Sequence, residues 1–374
     1  MIIGLDGNEA NIENRVGVNV YAFELLTAIS KLQENWKNKH TIIVYLKRNP
    51  LPDMPRETKN FKYKILPGRK IWILTRLTPY LLPNPDKLDL FFTPSHYLPL
   101  ILKIPSVCSI MDLGYLNSSE QFKKYDFWQL KYWTASSLQK AKKIIAISES
   151  TKKDILRHYP NTAKKIEVTL LAYDKNKFNQ KTINKDVRQV KNKYHINKNY
   201  ILFLGTLKPS KNIEGLLLAF AKISKEFPDI ELVISGKKGW LFESIFHKAK
   251  ELNLENRVIF TGFVDEKDKP SLIGSAKIFC LPSFWEGFGL DVLNALASGV
   301  PCIISDRGSL PEVGGLVALY ADPQNTDSIA YNLKKVLSMK KVEYNKLSRN
   351  SAKWAQKFDW EKTANKTLKI LESI

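Results

Sequence analysis

At 374 residues, with 44% hydrophobic and 25% charged side chains, the chain is long enough for two ordinary domains, and its balance excludes a disordered or fibrous protein. The formal net charge of +21 is no basic tail: residues 1–180 hold 28 Lys+Arg against 16 Asp+Glu, and residues 181–374 hold 30 against 21. No apolar run approaches the ~18 residues of a membrane span, and Cys108, Cys280 and Cys302 lie too far apart for a C-x-x-C site, reading as reduced core thiols. Met1 to Asp6 reads as a first strand, not as a basic leader, and a polar loop from Gly7 to Gly17 follows. A helix comes next, with Val18, Ala22, Leu25, Leu26, Ile29 and Leu32 on one face. Strands are predicted at Thr41–Leu46, Tyr63–Leu66, Leu88–Phe92, Pro105–Met111 and Lys143–Ile147.

The apolar period lapses across residues 175–199, a lysine- and asparagine-rich linker of which about 184–195 could be helical. The alternation restarts with strands at Tyr200–Leu204, Ile230–Ser235, Val258–Phe260, Lys277–Leu281, Cys302–Ser305 and Leu316–Tyr320, separated by helical patterns. Strands apolar throughout, alternating with helices, imply parallel sheets covered on both faces. The expected architecture is therefore α/β: a domain over 1–174, the linker, a second domain over 200–352, and closing helical sequence over 353–374, with a cleft between the domains.

Two strand-to-helix turns carry the chemistry. Ser283-Phe-Trp-Glu286-Gly287-Phe288-Gly289-Leu290 joins a short buried strand to a helix with Leu290, Leu293, Leu296 and Ala297 at helical spacing. In open α/β sheets ligands bind at such turns, where first-turn N–H groups favour phosphate. Glu286 can accept hydrogen bonds from sugar hydroxyls, while the amides of Phe288, Gly289 and Leu290 can reach an anion; the plainer account is an acidic helix N-terminus. Gly205-Thr206-Leu-Lys208-Pro-Ser-Lys211-Asn212 follows the first strand of the second domain, and its two lysines suit a diphosphate whose charge grows as it leaves. In a chain this basic a solvated lysine is the plainer account of either one alone, but their position after Gly205 and the second turn that should face them reverse that weighting.

These two turns, with Ala297-Ser-Gly-Val-Pro301 and Ser305-Asp-Arg-Gly-Ser-Leu-Pro-Glu-Val313, resemble in order and spacing the retaining, nucleotide-sugar-dependent glycosyltransferases of family 4. Gly17-Val-Asn19-Val-Tyr21 is similar to the family's glycine loop, Ile147-Ser148-Glu-Ser-Thr-Lys-Lys-Asp154 to its serine-containing strand end, and Phe358-Asp-Trp360 to the start of its closing helix. The resemblance implies the GT-B fold: two Rossmann-like, doubly wound parallel-sheet domains facing across a cleft. The donor would lie on the second domain, the acceptor on the first, and the last helix would return to the first. Lys211, with Lys208, would hold the donor diphosphate and Glu286 the donor sugar. Gly205, Thr206, Gly287, Phe288, Gly289 and Leu290 would line that site, and Phe263 and Val264 would sit against the base. Gly17, Asn19, His96, Met111, Asp112 and Ser148 would face the acceptor. The implied reaction is metal-independent and needs no cofactor, because the lysines and a helix dipole take the cation's place and the departing phosphate deprotonates the acceptor on the face it leaves.

Four positions depart from the family's pattern. Asn294 stands where a ribose-binding glutamate is usual, Met111 where a histidine precedes Asp112, Ser210 where an arginine is common, and Asn19 for the second loop glycine. An amide loses the charge-assisted share of a hydrogen bond to a diol, about 1–2 kcal/mol, and methionine donates none. Two other readings therefore stand beside a hexosyltransferase with a mannose-like donor and a glycan or lipid-linked acceptor in polysaccharide biosynthesis. One is a catalytically impaired scaffold that binds nucleotide. The other is a nucleotide-sugar 2-epimerase, for which His96 is the histidine at a strand end, a core or surface role being the plainer account.

The expected location is cytoplasmic, peripheral on the inner face of a membrane. Residues 59–82 mix Lys62, Lys64, Arg69, Lys70 and Arg76 with bulky apolar side chains and could lie on an anionic surface; a packed strand and helix with solvated bases is the plainer account. The charge could draw nucleic acid too, but no helix-turn-helix, zinc-finger or RNA-recognition pattern focuses it there.

Overall fold

A strand apolar on both faces can be satisfied only inside a sheet that helices cover twice, and this chain builds two such sheets. The computed structural model describes residues 1–35, 40–117, 124–180 and 187–374. It divides into one unit of Met1–Leu171 with Asp359–Ile374, and a second of Ala172–Phe358.

In the first unit, β1 (Ile2–Asp6), β2 (Thr41–Leu46), β3 (Phe61–Ile65), β4 (Leu90–Thr93), β5 (Ser106–Ile110), β6 (Lys143–Ala146) and β7 (Ile166–Val168) form one sheet in the order β3-β2-β1-β4-β5-β6-β7. Every pairing is parallel, with Gly4 opposite Ile43 on one side and Phe91 on the other. Gly4 is required there: a Cβ would lie 2.5 Å from the Leu88 side chain. The helix Val18–Asn35 carries the buried stripe Tyr21, Ala22, Leu25, Leu26, Ile29 and Leu32. It meets the closing helix Trp360–Glu372, where Tyr21 and Trp360 stand 6.3 Å apart and His40 Nε2 lies 2.7 Å from Glu372. Asp359 begins that helix by accepting from the Glu361 and Lys362 N–H groups. Trp360, Leu368 and Leu371 are buried.

Residues 59–82 resolve into β3 at the sheet edge, a π-helical turn Ile73–Leu77 and a short helix Thr78–Leu81. Phe61, Trp72, Leu77 and Leu81 are buried, so much of the apolar content of this segment packs inside the unit, and Ile71 stays 57% exposed.

In the second unit, β8 (Asn199–Leu204), β9 (Ile230–Ser235), β10 (Val258–Gly262), β11 (Ile278–Leu281), β12 (Cys302–Ser305) and β13 (Leu319–Ala321) run parallel in the order β10-β9-β8-β11-β12-β13. The sequence between residues 175 and 199 contains a helix, Val187–Lys193, whose Lys193, with Tyr194 just after it, reaches Asp268; residues 181–186 lie outside the described residues. The strand expected at Leu316–Tyr320 begins three residues later. A helix Leu310–Gly314 precedes it and ends on Gly315, whose φ of 52° and carbonyl bond from the Tyr320 hydroxyl (2.6 Å) leave Leu316 96% exposed. The three cysteines are free and buried, and burial raises each thiol's pKa.

Candidate active site

The second sheet starts at β8 in its middle, builds outward through β9 and β10, then crosses back to β11 on the other side. Chains leaving β8 and β11 therefore turn to opposite faces, and a crevice opens between their carboxyl ends. The two turns singled out in the sequence flank it. They are bolted together by backbone: the Phe284 N–H donates to the Ser210 carbonyl at 2.9 Å. Asn212, in the left-handed region (φ 53°) that asparagine tolerates, donates its side-chain amide to the Pro282 and Pro323 carbonyls at 3.1 and 2.7 Å. Gly215 leaves the room this needs, since a Cβ there would overlap the Asn212 amide.

Lys211 and Glu286 meet as an ion pair across the crevice, their side chains only 15% and 11% exposed. Glu286 also accepts from the Ser283 hydroxyl at 2.8 Å, while its own carbonyl accepts from the Ser309 hydroxyl (2.9 Å) and N–H (3.3 Å). Gly308, at φ 59°, lets that loop approach: a Cβ would stand 2.8 Å from the Glu286 carbonyl oxygen. The carboxylate is thus fixed at both ends, and a charge so desolvated needs a partner of opposite sign. Beyond it, Gly289 (φ 95°) starts the helix Leu290–Ala297, whose first-turn N–H groups lack intrahelical acceptors. A carboxylate for hydroxyls, a lysine and a helix N-terminus for an anion are what this crevice offers.

The remaining second-unit residues spread around this centre. Lys208 Nζ stands 4.9 Å from the Trp240 ring centre, held on a tongue where the Leu207 N–H reaches the Lys237 carbonyl and the Gly239 N–H returns to Leu207. Gly205 lies under Gly236 and donates its N–H to Ser235 at 3.0 Å, and Thr206 is exposed beside it. Phe263 lies 4.7 Å below Lys237 Nζ, Val264 is buried, and Phe288 packs edge-on to Phe358. Asn294 is buried with its amide toward Asp291 Oδ1 at 3.3 Å, and desolvation raises the Asp291 carboxyl. Ser309, Asn212 and Trp240 were not singled out from sequence. The glycines at 239 and 308, next to Trp240 and Ser309, mark close approaches and were the available signal. Among the described residues no group of three His, Cys, Asp or Glu is placed to hold a metal.

The first unit gathers its candidates at the carboxyl ends of β1, β4, β5 and β6. Gly17 (φ 52°) turns the loop into the first helix, and Asn19 donates to Glu9 at 2.6 Å. Burial raises the Glu9 and Asp6 carboxyls. His96 Nε2 accepts the Met111 N–H at 3.1 Å, which leaves the proton on Nδ1, 3.5 Å from the Thr134 hydroxyl. Burial lowers the His96 pKa, the nearby Asp112 opposing, so the ring is a neutral brace for Met111. Met111 presents its carbonyl to Thr151, Asp112 accepts the Gly114 N–H at 2.9 Å, and Ser148 caps the helix Glu149–His158.

That helix also carries Asp154, 8% exposed, with one carboxylate oxygen unpartnered among the described residues. Burial, then the charge of Asp112, push its pKa from 3.8 to about 6, Arg157 opposing. The native state therefore holds this proton more tightly than the unfolded chain does. Stability falls as pH rises from about 4 to 6, and the deficit is complete above 6. Asp154→Asn is expected to raise unfolding free energy by about 1–3 kcal/mol at pH 7.5 and by little at pH 4, read by denaturant titration.

Residues 184–354 match the family described as Glycosyl transferases group 1. The O-antigen chain mannosyltransferase B of Escherichia coli is 29% identical over 345 residues, 91% of this chain and 84% of that protein. Among solved structures, sucrose-phosphate synthase of Thermosynechococcus elongatus aligns over 100% of this chain and 98% of its own, at TM-score 0.76 and 18% identity. HepE of Anabaena, solved with UDP and glucose, does so over 100% and 99% at TM-score 0.76 and 17% identity. The shared fold is GT-B, two Rossmann-like parallel-sheet units.

Proposed function

From the match of residues 184–354 to Glycosyl transferases group 1 and the likeness of 91% of the chain to a mannosyltransferase, we propose that the protein is a glycosyltransferase of that group and moves a hexose, mannose by preference, from a nucleoside-diphosphate sugar to a glycan or lipid-linked acceptor with retention of anomeric configuration. The observation that carries this reading is the meeting of Lys211 and Glu286 at the switch point of the second sheet. The bond from the anomeric carbon to the diphosphate breaks, and the acceptor oxygen bonds to that carbon on the same face. The leaving phosphate takes the acceptor's proton, so no protein base is required. Lys211, Lys208 and the N-terminus of Leu290–Ala297 neutralise the charge that grows on the diphosphate, in place of a metal ion. Glu286 accepts hydrogen bonds from the sugar, and Phe263 and Val264 lie against the base. The named mannosyltransferase relatives support mannose as the donor sugar. A lipid-linked acceptor would bring the chain to the cytoplasmic face of a membrane, and its charge of +21 supports an anionic surface.

The test is a screen of UDP-, GDP- and dTDP-sugars for hydrolysis and transfer. Turnover is expected with one base, with GDP-mannose leading, unchanged by EDTA, and with an α-linked product from an α-linked donor. No turnover and no nucleotide binding with any donor would sink the reading. Asn294, engaged with Asp291, and Met111, whose side chain has no hydrogen bond to give, favour a second reading as a nucleotide-binding scaffold. That reading requires diphosphate binding without turnover in the same screen.

A further inference from the structure

On the carboxyl edge of the first sheet, Lys47, Pro67, Gly68, Arg69, Thr75 and Arg76 line an open groove of about 640 Å³. That volume falls within the roughly 300–1,000 Å³ of small-ligand sites. Three cations converge and no carboxylate lines the groove. Among the described residues none of the three is in an ion pair, whereas Lys64 on β3 reaches Asp86 and Arg15 reaches Asp53. Lys47 acts on Asp6 and Glu9 through space, opposing the rise that burial gives their carboxyls, with no ion pair to either among the described residues. Three like charges left unneutralised on one concave surface repel one another unless an anion joins them.

The groove is built, not incidental. Lys47 follows β2, and its N–H donates to the Asn8 side chain at 2.9 Å, tying it to the Gly7–Gly17 loop. Leu66 extends the sheet by donating to the Leu46 carbonyl, and its own carbonyl accepts the buried Trp72 indole N–H at 2.6 Å. Gly68 then lies on the Trp72 ring and the Arg76 stem. A Cβ at Gly68 would stand 2.6 Å from one and 2.9 Å from the other. Arg76 rides on the π-helical turn Ile73–Leu77, a geometry often found at functional sites. Two guanidinium forks and an ammonium match an oxygen-rich anion of charge −2 or more, which a single carboxylate does not supply.

We propose that this groove binds the phosphate or diphosphate group of an anionic acceptor. Naming the ligand an acceptor rests on the transferase reading; the anion site itself does not. Inorganic diphosphate is titrated calorimetrically into Lys211→Ala protein, in which the second unit's own diphosphate contact is removed. Adding Lys47→Gln, Arg69→Gln and Arg76→Gln is expected to weaken binding about 100-fold or more, at roughly tenfold per charge-assisted contact. Arg69→Gln alone, at an exposed position, should cost about tenfold and covers the case in which the triple variant fails to fold. A change under about threefold in both, with melting unaltered, overturns the proposal.

Two further arms separate the sources of the phosphate. Vesicles carrying a polyprenyl-diphosphate sugar that retain the native chain but not the Arg69/Arg76 variant mark a lipid-linked acceptor. Competition by glucose 6-phosphate, lost in the same variant, marks a soluble sugar phosphate. Equal retention on plain phosphatidylglycerol vesicles by native and variant chains, with no competition, overturns the site. If the transferase reading alone is wrong, diphosphate binding persists without turnover. If only this site is wrong, donor turnover persists and the three substitutions leave diphosphate affinity unchanged.

Discussion

Replacing Glu286 by glutamine is expected to lower turnover about 10²–10³-fold, the scale of a lost transition-state contact, while nucleoside diphosphate binds as tightly as before or a few-fold tighter. The second half follows from the ion pair. Lys211 is held by the Glu286 carboxylate, and a diphosphate must compete for the same ammonium. Glutamine keeps the shape and the Ser283 contact but relinquishes the charge, so Lys211 becomes available to the nucleotide. Initial rates and calorimetry with the same protein read both effects. Loss of nucleotide binding with transfer intact would show that Glu286 serves the diphosphate, not the sugar.

Lys211→Ala should act on binding and chemistry together: about 10²-fold weaker nucleoside diphosphate binding and a similar or larger loss of turnover. More is lost than one contact. Among the described residues Glu286 then keeps only the Ser283 hydroxyl as a side-chain partner, and its unpaired charge repels the diphosphate. Lys211→Ala combined with Glu286→Gln is therefore expected to recover part of the nucleotide affinity that the single lysine variant loses. That non-additivity, read as a double-mutant cycle, measures the coupling of the pair. Strict additivity would mean that the two side chains do not interact in the nucleotide-bound protein.

The crevice was legible in the sequence because its chemistry sits beside punctuation: a short apolar strand, a glycine-bearing turn, a periodic helix. What could not be read was the scaffolding between distant segments. Asn212 finds its carbonyl partners 70 and 111 residues away, and Ser309 finds Glu286 23 residues back. No local pattern encodes those distances. Lys208 and Lys211 look equivalent in the sequence, yet one lies over Trp240 and the other on Glu286, because the tongue after β9 captures only the first. β7 went unpredicted since three residues, Ile166–Val168, are too few to show a period. His96, on a strand end, reads alike as a catalytic or a core histidine; only the Met111 N–H at Nε2 separates the two.

The closing helix has a consequence for synthesis. The second unit is inserted between Leu171 and Asp359 of the first, and Trp360–Glu372 supplies part of the first unit's core beside Val18–Asn35. On a ribosome, which hands over chain from the N-terminus, the unit begun first cannot be finished until about 190 further residues have emerged. The inserted unit, by contrast, is contiguous and can close as soon as it clears the tunnel. The nascent first sheet must therefore wait with its apolar helix face uncovered, the interval in which a chaperone would find it.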